Sequence, residues 1–321
     1  TGGTIAGQAS NRSAIGYQSG KVSGADLVAA VPGLDHLAAI SAEQVSSIGS
    51  QDMNDQVWLT LAKRIKEIVA NNEADGIVIT HGTDTMEETA FFLNLVLGPE
   101  KPVVLVGSMR PSTAVSADGP GNLYEAVEVA ASPKARGRGV LVVLNDTIHD
   151  PRLVTKTNTT SVQTFLSPDG GPAGYVDPAS IRFMTAAPAV TARALYALPP
   201  SAPLPRVDII YAHANMDAAL IQDAVKGGAK GLVLAGVGDG NASQAAIDAL
   251  AEAAKQGVVV VRASRVGSGF VNRNVEVDDD KLGFVAALDL NPQKARVLTQ
   301  LLIANGVSKP EDIQRAFATT W

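Results

Sequence analysis

The chain has 321 residues, of which 46% are hydrophobic and 18% charged, a composition that indicates globular protein and excludes a disordered polyelectrolyte. Its 26 basic and 32 acidic residues give a formal net charge of −6, which argues against nucleic acid as a partner. The absence of cysteine excludes disulfides, thiolate metal sites and a cysteine nucleophile, so any catalysis must use hydroxyls, lysine, histidine or carboxylates.

Short apolar runs alternate with amphipathic stretches through the first part of the chain. The apolar runs are rich in β-branched residues without alternation, which is typical of buried strands, and none approaches the ~18 residues of a membrane span, so we expect no membrane contact. The amphipathic stretches carry apolar residues at helical spacing. Strands are predicted at 44–49, 76–80, 103–107 and 139–145, and helices at 54–74, 87–97 and 117–131. This alternation predicts a parallel sheet with helices on both faces and ligands at the carboxyl ends of its strands.

A segment rich in Ala, Thr and Pro at 184–206 interrupts the alternation, which is typical of a linker. The alternation then resumes, with strands predicted at 207–211, 231–235 and 258–261 and helices at 218–226, 243–255, 292–304 and 311–317. We therefore predict an α/β protein of two domains. The larger N-terminal domain, 1–183, has a mostly parallel sheet with helices on both faces, and the smaller C-terminal domain, 207–321, has a parallel sheet.

The segment at 81–85, His-Gly-Thr-Asp-Thr, lies between a predicted strand and a predicted helix. Backbone amides at a helix N-terminus suit a carboxylate or an oxyanion. Thr83 beside Asp84 also offers a nucleophile next to an acidic residue that could orient it. The alternative is a helix cap from this segment, completed by Glu87 and Glu88 as a capping box.

Other strand ends are also rich in hydroxyls, and this convergence favours a site there. The relevant segments are Thr-Gly-Gly-Thr at 1–4, Ser50-Gln51, and the segment from Ser108 to Thr113. Lys156 lies among threonines after the strand at 139–145. It is either a solvated surface charge or, if desolvated in the crevice, a base toward a hydroxyl.

Three other patterns give weaker signals. The glycines at 236–240 follow a strand as a dinucleotide fingerprint would, but their spacing is G-x-G-x-G, which leaves an NADP-dependent enzyme as a remote alternative. The four histidines are isolated in the sequence, so we predict no metal site. The acidic run at 276–280 is by default a solvated loop.

Taken together, these segments resemble the bacterial L-asparaginase family, in its type II, periplasmic branch. Two long signatures carry most of the resemblance, one at 1–7 and one at 80–88. Further matching segments lie at 49–55, 109–122, 154–160, 235–241 and 291–296. The resemblance implies hydrolysis of the asparagine side-chain amide to aspartate and ammonia through a threonine acyl-enzyme, without a cofactor, in a periplasmic protein.

The resemblance also implies catalytic roles for particular residues. Thr4 would attack the amide carbon, and Tyr17 would activate or orient it from a lid. Thr83, Asp84 and Lys156 would form a second triad. Which of the two threonines acts in which step stays open.

The implied substrate-binding residues come from both domains: Ser50, Gln51, Thr83, Asp84, Ser108, Asn241 and Glu276. Asp84 and Glu276 would accept from the substrate ammonium, and Ser50 with backbone amides would donate to its carboxylate. Asn241 and Glu276 would reach in from a neighbouring subunit, so the implied active unit is an intimate dimer within a homotetramer. The aspartates at 278–280 are expected to stay solvated.

Gln51 and Asn241 match the asparagine-preferring pattern, whereas dual glutaminase-asparaginases tend to have Glu and Ser at these positions. We therefore expect L-asparagine as the main substrate and weaker activity on L-glutamine. The alternatives are a dual glutaminase-asparaginase and, from another class, a non-catalytic amino-acid binding protein.

Overall fold

The structure is a computed structural model of the chain, and it describes residues 1–9, 17–18, 20–177, 179–187 and 195–319. The chain divides into two compact units, an N-terminal unit, Thr1–Arg193, and a C-terminal unit, Ala194–Trp321. The division falls within the predicted linker at 184–206, of which 188–194 lie outside the described residues. Each unit has its own sheet and apolar core.

The described part of the N-terminal unit contains helices, short 3-10 helices and strands. The helices are α1 (Gly24–Ala29), α2 (Leu34–Leu37), α3 (Asp55–Ala70), α4 (Met86–Val96) and α5 (Gly119–Ala131). The 3-10 helices are Thr4–Ala6, Ser50–Asp52 and Pro133–Ala135. The strands are β1 (Gln8–Ala9), β2 (Tyr17–Gln18), β3 (Ile77–Thr80), β4 (Val103–Val106), β5 (Val140–Leu144), β6 (Thr147–His149), β7 (Thr155–Lys156), β8 (Phe165–Leu166), β9 (Gly174–Asp177) and β10 (Ser180–Phe183).

The main sheet of this unit has the described strands in the order β10-β9-β6-β5-β4-β3. Strands β3, β4 and β5 pair in parallel, as the alternation predicts, but β5–β6, β6–β9 and β9–β10 pair antiparallel. The sheet is therefore mixed, and the prediction of a mostly parallel sheet is wrong beyond β5. The cause is local, because β5 and β6 are joined only by Asn145 and Asp146, whose φ angles are 51° and 60°. A two-residue turn with positive φ at both positions makes a hairpin, which forces antiparallel pairing.

Burial of β4 and β5 on both sides explains their continuous apolar sequences. Val104 and Val106 of β4 pack in one cluster with Leu123 of α5, while Leu105, which points to the opposite face, is equally buried. Helix α4 is almost wholly buried and packs against β5. The predicted strand at 44–49 is wrong: this segment makes a single bridge, between Gly2 and Ile48, within the described residues.

The C-terminal unit matches its predicted all-parallel sheet. Its described strands are β11 (Val207–Tyr211), β12 (Gly231–Gly236), β13 (Val259–Ser264) and β14 (Phe284–Ala286), in this spatial order. Its described helices are α6 (Ala219–Lys226), α7 (Gln244–Lys255), α8 (Asp279–Leu282), α9 (Pro292–Ala304) and α10 (Pro310–Thr319). No helix among the described residues of either unit is long and apolar enough to cross a bilayer.

Candidate active site

The glycine pair at the start of the chain brings Thr4 against the segment that follows β3. Gly3 has a φ angle of 82°, and a Cβ atom on it would lie only 2.7 Å from the carbonyl carbon of His81 and would overlap the backbone of Gly82. Glycine is therefore required for this close approach. Thr4 then begins a 3-10 helix and is buried. The two signatures that carry the resemblance are packed against each other.

Ser50, the first residue of the 3-10 helix before α3, also lies next to the segment that follows β3. Its Oγ accepts a hydrogen bond from the backbone N–H of Asp84 over 3.2 Å, and its carbonyl oxygen accepts from Thr85 Oγ1 over 2.7 Å. Ser50 is buried, so these bonds fix its position at the start of α4. Gln51, the next residue, is exposed and its Nε2 donates to Asp52 Oδ2 over 3.3 Å.

Lys156 on β7 lies among hydrogen-bonding partners and is not a solvated surface charge. Its Nζ lies 2.9 Å from Thr83 Oγ1 and 2.6 Å from Asp84 Oδ1. The Lys156 side chain is 18% exposed and that of Asp84 is 60% exposed, while Thr83 is buried. A hydroxyl, an amine and a carboxylate therefore form one hydrogen-bonded group.

Glu87, in the first turn of α4, holds the backbone of Lys156. Its Oε2 accepts the Lys156 N–H over 2.7 Å, and the Glu87 side chain is buried. The N-cap of α4 is Thr85, within the predicted segment, but its side chain makes no hydrogen bond to the helix, so the predicted capping box is wrong. The sequence indicates Glu87 only as part of that cap. The start of α4 therefore contacts Lys156 at both its backbone and its amine.

His81, at the end of β3, has its ring hydrogen bonds fixed by neighbours. Trp58 Nε1 donates to Thr89 Oγ1 over 2.8 Å, Thr89 Oγ1 lies 2.9 Å from His81 Nε2, and His81 Nδ1 lies 2.7 Å from Gly82 O. Because a carbonyl oxygen only accepts, Nδ1 carries the proton, and Nε2 accepts from Thr89. Burial lowers the pKa of His81 to about 4, so the ring is neutral at pH 7. Its isolation in sequence gave no sign of this network.

The structure gives less information on how Ser108 and Tyr17 could contribute to the site. Ser108 follows β4 and is fully buried, but its hydroxyl donates to Arg110 O in its own loop over 2.8 Å. Gly107, just before it, packs beside Thr83. Tyr17 lies on β2, paired with Ala9 of β1, and its side chain lies outside the described residues.

Asn241 and Glu276 meet in the C-terminal unit, where Asn241 Nδ2 donates to Glu276 Oε2 over 3.0 Å. The expectation that all three aspartates at 278–280 are solvated is wrong, because Asp279 is fully buried and forms an ion pair with Arg262. Asp278 and Asp280 are exposed. The described residues hold no group of three or more potential metal ligands.

Fold and site define a two-unit α/β protein in which hydroxyls, a lysine and a carboxylate meet at the carboxyl ends of parallel strands. A family model described as "Asparaginase, N-terminal" matches residues 1–189, and one described as "Glutaminase/Asparaginase C-terminal domain" matches residues 206–317. The chain therefore belongs to the asparaginase family, which confirms the resemblance.

Individual relatives are similar over nearly the whole chain. It is 51% identical over 318 residues to L-asparaginase 2 of Escherichia coli, a match that covers 99% of this chain and 90% of the relative. It is 50% identical, with the same coverage, to the probable periplasmic L-asparaginase of Haemophilus influenzae. Among solved structures, the probable cytoplasmic L-asparaginase of Campylobacter jejuni has a TM-score of 0.93 at 44% identity and covers 99% of this chain and 97% of its own.

Proposed function

We propose that the chain hydrolyses the side-chain amide of L-asparagine to aspartate and ammonia, with weaker activity on L-glutamine. The observation that carries this proposal is the Lys156 amine, which lies within hydrogen-bonding distance of both Thr83 Oγ1 and Asp84 Oδ1. The names of the relatives and of the two family models support the same reaction.

The proposed chemistry has two halves. In the first, a threonine Oγ attacks the amide carbon, the carbon–nitrogen bond breaks, and ammonia leaves with the proton that the hydroxyl loses. In the second, water attacks the resulting ester, which releases aspartate and restores the hydroxyl. We assign the first attack to Thr4. Lys156 accepts a proton through Thr83, and the Asp84 carboxylate, 2.6 Å from its amine, stabilises the lysine ammonium.

Substrate binding follows from the two opposite charges on a free α-amino acid. Asp84 and Glu276 supply acceptors for the ammonium. Ser50 Oγ already accepts the Asp84 N–H, so its own O–H is a donor directed by that contact, which suits a carboxylate. Backbone amides at the start of α4 add to this, since a helix N-terminus attracts anions. Gln51 and Ser108 complete the proposed substrate-binding set.

Asn241 and Glu276 are proposed to serve the site of a neighbouring chain, in an intimate dimer within a homotetramer. The hydrogen bond between their side chains supports a shared role. Periplasmic location stays a prediction that rests on the family resemblance, because one relative is named periplasmic and a solved neighbour is named cytoplasmic.

The test is ammonia release from L-asparagine and from L-glutamine, measured side by side on the wild-type chain and on Thr4→Ala. We expect faster turnover of asparagine, and a loss of about 10³-fold or more in the variant. Full activity in Thr4→Ala would remove Thr4 as the nucleophile. Binding of asparagine by the wild-type chain without any ammonia would favour the amino-acid binding protein instead. Equal use of both amides would favour a dual glutaminase-asparaginase.

A further inference from the structure

The C-terminal unit contains a buried ion pair that the proposed chemistry does not use. Arg262 on β13 and Asp279 at the start of α8 both have side chains that are 0% exposed. Arg262 Nε donates to Asp279 Oδ1 over 2.6 Å, and its Nη2 donates to Oδ2 over 2.7 Å. A buried pair of this kind is weak evidence for stability, because desolvation offsets the attraction between the charges. The pair lies between two loops, which favours a role in holding them in place.

The remaining donors of Arg262 bind the backbone of those two loops. Its Nη1 donates to Asp239 O over 3.0 Å and to Gly240 O over 3.1 Å, in the loop at 237–241 that follows β12. Its Nη2 also donates to Asn272 O over 3.1 Å, in the loop at 272–278 that precedes α8. With the two bonds to Asp279, all five N–H groups of the guanidinium are used.

Two carboxylates add to these contacts: Asp239 joins the two loops, and Asp279 binds the second loop. Asp239 accepts from the backbone N–H of Asn272 over 2.6 Å and from its Nδ2 over 3.0 Å. Asp279 Oδ2 also accepts the backbone N–H of Asn274 over 2.8 Å. The loop at 272–278 is therefore held at its start by Asp239 and Arg262 and near its middle by Asp279.

Gly240 shows that the guanidinium is closely fitted to the first loop. Its φ angle is 74°, and a Cβ atom on it would lie 3.1 Å from Arg262 Nη1 and 2.8 Å from Val271 Cγ1. The glycine spacing that resembled a dinucleotide fingerprint is explained here by contacts within the unit.

Asn241 directly follows Gly240 in the first loop. Glu276 lies in the second loop, between Asn274, whose backbone N–H binds Asp279, and Asp279 itself. We infer that Arg262 and Asp279 are positioning residues, which set the separation of Asn241 and Glu276 and thereby the affinity of the site for the α-amino group of its substrate. This inference rests on the proposed function, in which Asn241 and Glu276 bind substrate. The geometry that supports it is the 3.0 Å bond between their side chains, which joins two loops whose backbones bind the same Arg262 guanidinium.

The experiment is steady-state ammonia release from L-asparagine by the full chain carrying Arg262→Lys. Lysine keeps a positive charge beside Asp279 but cannot donate to three carbonyl oxygens and a carboxylate at once. We expect KM to rise by about tenfold or more with a much smaller change in kcat, because the lost interactions bind substrate and do not react. Asn241→Ala, measured in parallel, should raise KM in the same way. In the double variant, adding Asn241→Ala to Arg262→Lys should raise KM little further.

A matched control and a second variant keep the test decisive. Arg296→Lys changes an arginine of the same unit that donates to Val207 O over 3.0 Å and contacts neither loop, and it should leave KM unchanged. If circular dichroism shows that Arg262→Lys does not fold, Asp239→Ala replaces it. This variant removes the Asp239 hydrogen bonds between the same two loops and should raise KM to a smaller extent. Wild-type KM in the folded Arg262 or Asp239 variant, with Asn241→Ala impaired, would overturn this inference alone. Wild-type KM in Asn241→Ala would overturn the proposed role of Asn241 and the inference with it.

Discussion

The buried ring of His81 shows how one side chain makes the N-terminal unit sensitive to acid. Thr89 and Gly82 O satisfy the neutral ring, and burial lowers its pKa to about 4 from an ordinary value of 6.5. As the pH falls, His81 therefore binds a proton at a higher pH in the unfolded chain than in the folded chain. The stability that His81 contributes is complete above pH 6.5 and is lost progressively as the pH falls toward 4.

His81→Gln should reduce the acid sensitivity of the chain, which urea unfolding at pH 7 and at pH 4.5 measures. The wild-type chain should lose on the order of 2 kcal/mol more of its free energy of unfolding than the variant between these two pH values. His213→Gln is the control, since His213 is exposed and should leave the wild-type difference unchanged. Equal losses in the wild-type chain and in His81→Gln would show that His81 does not titrate on unfolding.

At the scale of secondary structure, the start of α4 organises the proposed catalytic group. Thr83 and Asp84 precede the helix and contact the Lys156 amine, while Glu87 in its first turn accepts the Lys156 backbone N–H. The start of helix α4 and strand β7 are thereby held to each other at two points. A shift of about 1 Å at reacting groups can reduce rates about 10²-fold.

We therefore expect Glu87→Leu to lower kcat for asparagine by about 10–100-fold, because the Lys156 segment loses its anchor. Glu87→Gln keeps an oxygen that can accept the same N–H, and its loss should be much smaller. Glu88→Gln removes a charge from the neighbouring position of the same helix turn and serves as the control. Wild-type kcat in a folded Glu87→Leu chain would contradict the anchoring role.

The turn between β5 and β6 predicts a second pH effect, with the opposite sign from that of His81. Glu125 on α5 is buried, and its Oε2 accepts the backbone N–H of Asp146 over 3.2 Å. Burial first, and then the nearby Asp146 carboxylate, raise the pKa of Glu125 above its ordinary value. The stability that the protonated form contributes is present below pH 4.5 and is lost as the pH rises through the raised pKa.

Glu125→Gln should accordingly raise the melting temperature more at pH 8 than at pH 5, since the amide cannot ionise. Differential scanning calorimetry at both pH values measures this. Glu128→Gln is a less buried control on the same helix, for which we expect a smaller difference. A larger gain at pH 5 than at pH 8 would contradict the raised pKa.

The elements that sequence analysis predicted correctly are those with long, regular patterns. The continuous apolar runs of β3, β4 and β5 and the helical spacing in α3 to α5 depend on the residues of each element alone. The antiparallel half of the main sheet was missed because two residues, Asn145 and Asp146, decide it. The expectation for Asp279 was wrong because its burial depends on Arg262. Arg262 lies on β13, beyond the apolar run at 258–261 that predicts this strand.

For the whole molecule, the sequence indicates candidate residues in both units, but spacing alone does not show which residues of one unit lie together. Thr83 and Asp84 are far along the chain from Lys156, and only the resemblance implied that they form one group. The structure gives that contact directly. The resemblance also implies that Asn241 serves a neighbouring chain, which leads to a prediction about mixed assemblies.

Lys156→Met and Asn241→Ala should complement each other when both chains are co-expressed. If each site takes its N-terminal unit from one chain and Asn241 from another, a mixed dimer contains one intact site and one doubly defective site, so about half of its sites are active. Tagged co-purification followed by an ammonia assay measures this. Activity no higher than the mean of the two separate variants would contradict a shared site.

The role of Lys156 as a base beside Thr83 is tested by kcat/KM for ammonia release from L-asparagine in Lys156→Arg. Arginine keeps the positive charge that pairs with Asp84 but stays protonated, so it cannot accept a proton. We predict a fall of about 10²–10⁴-fold in a folded chain. Activity within about threefold of wild type would show that the charge of Lys156, and not proton transfer, is what the site requires.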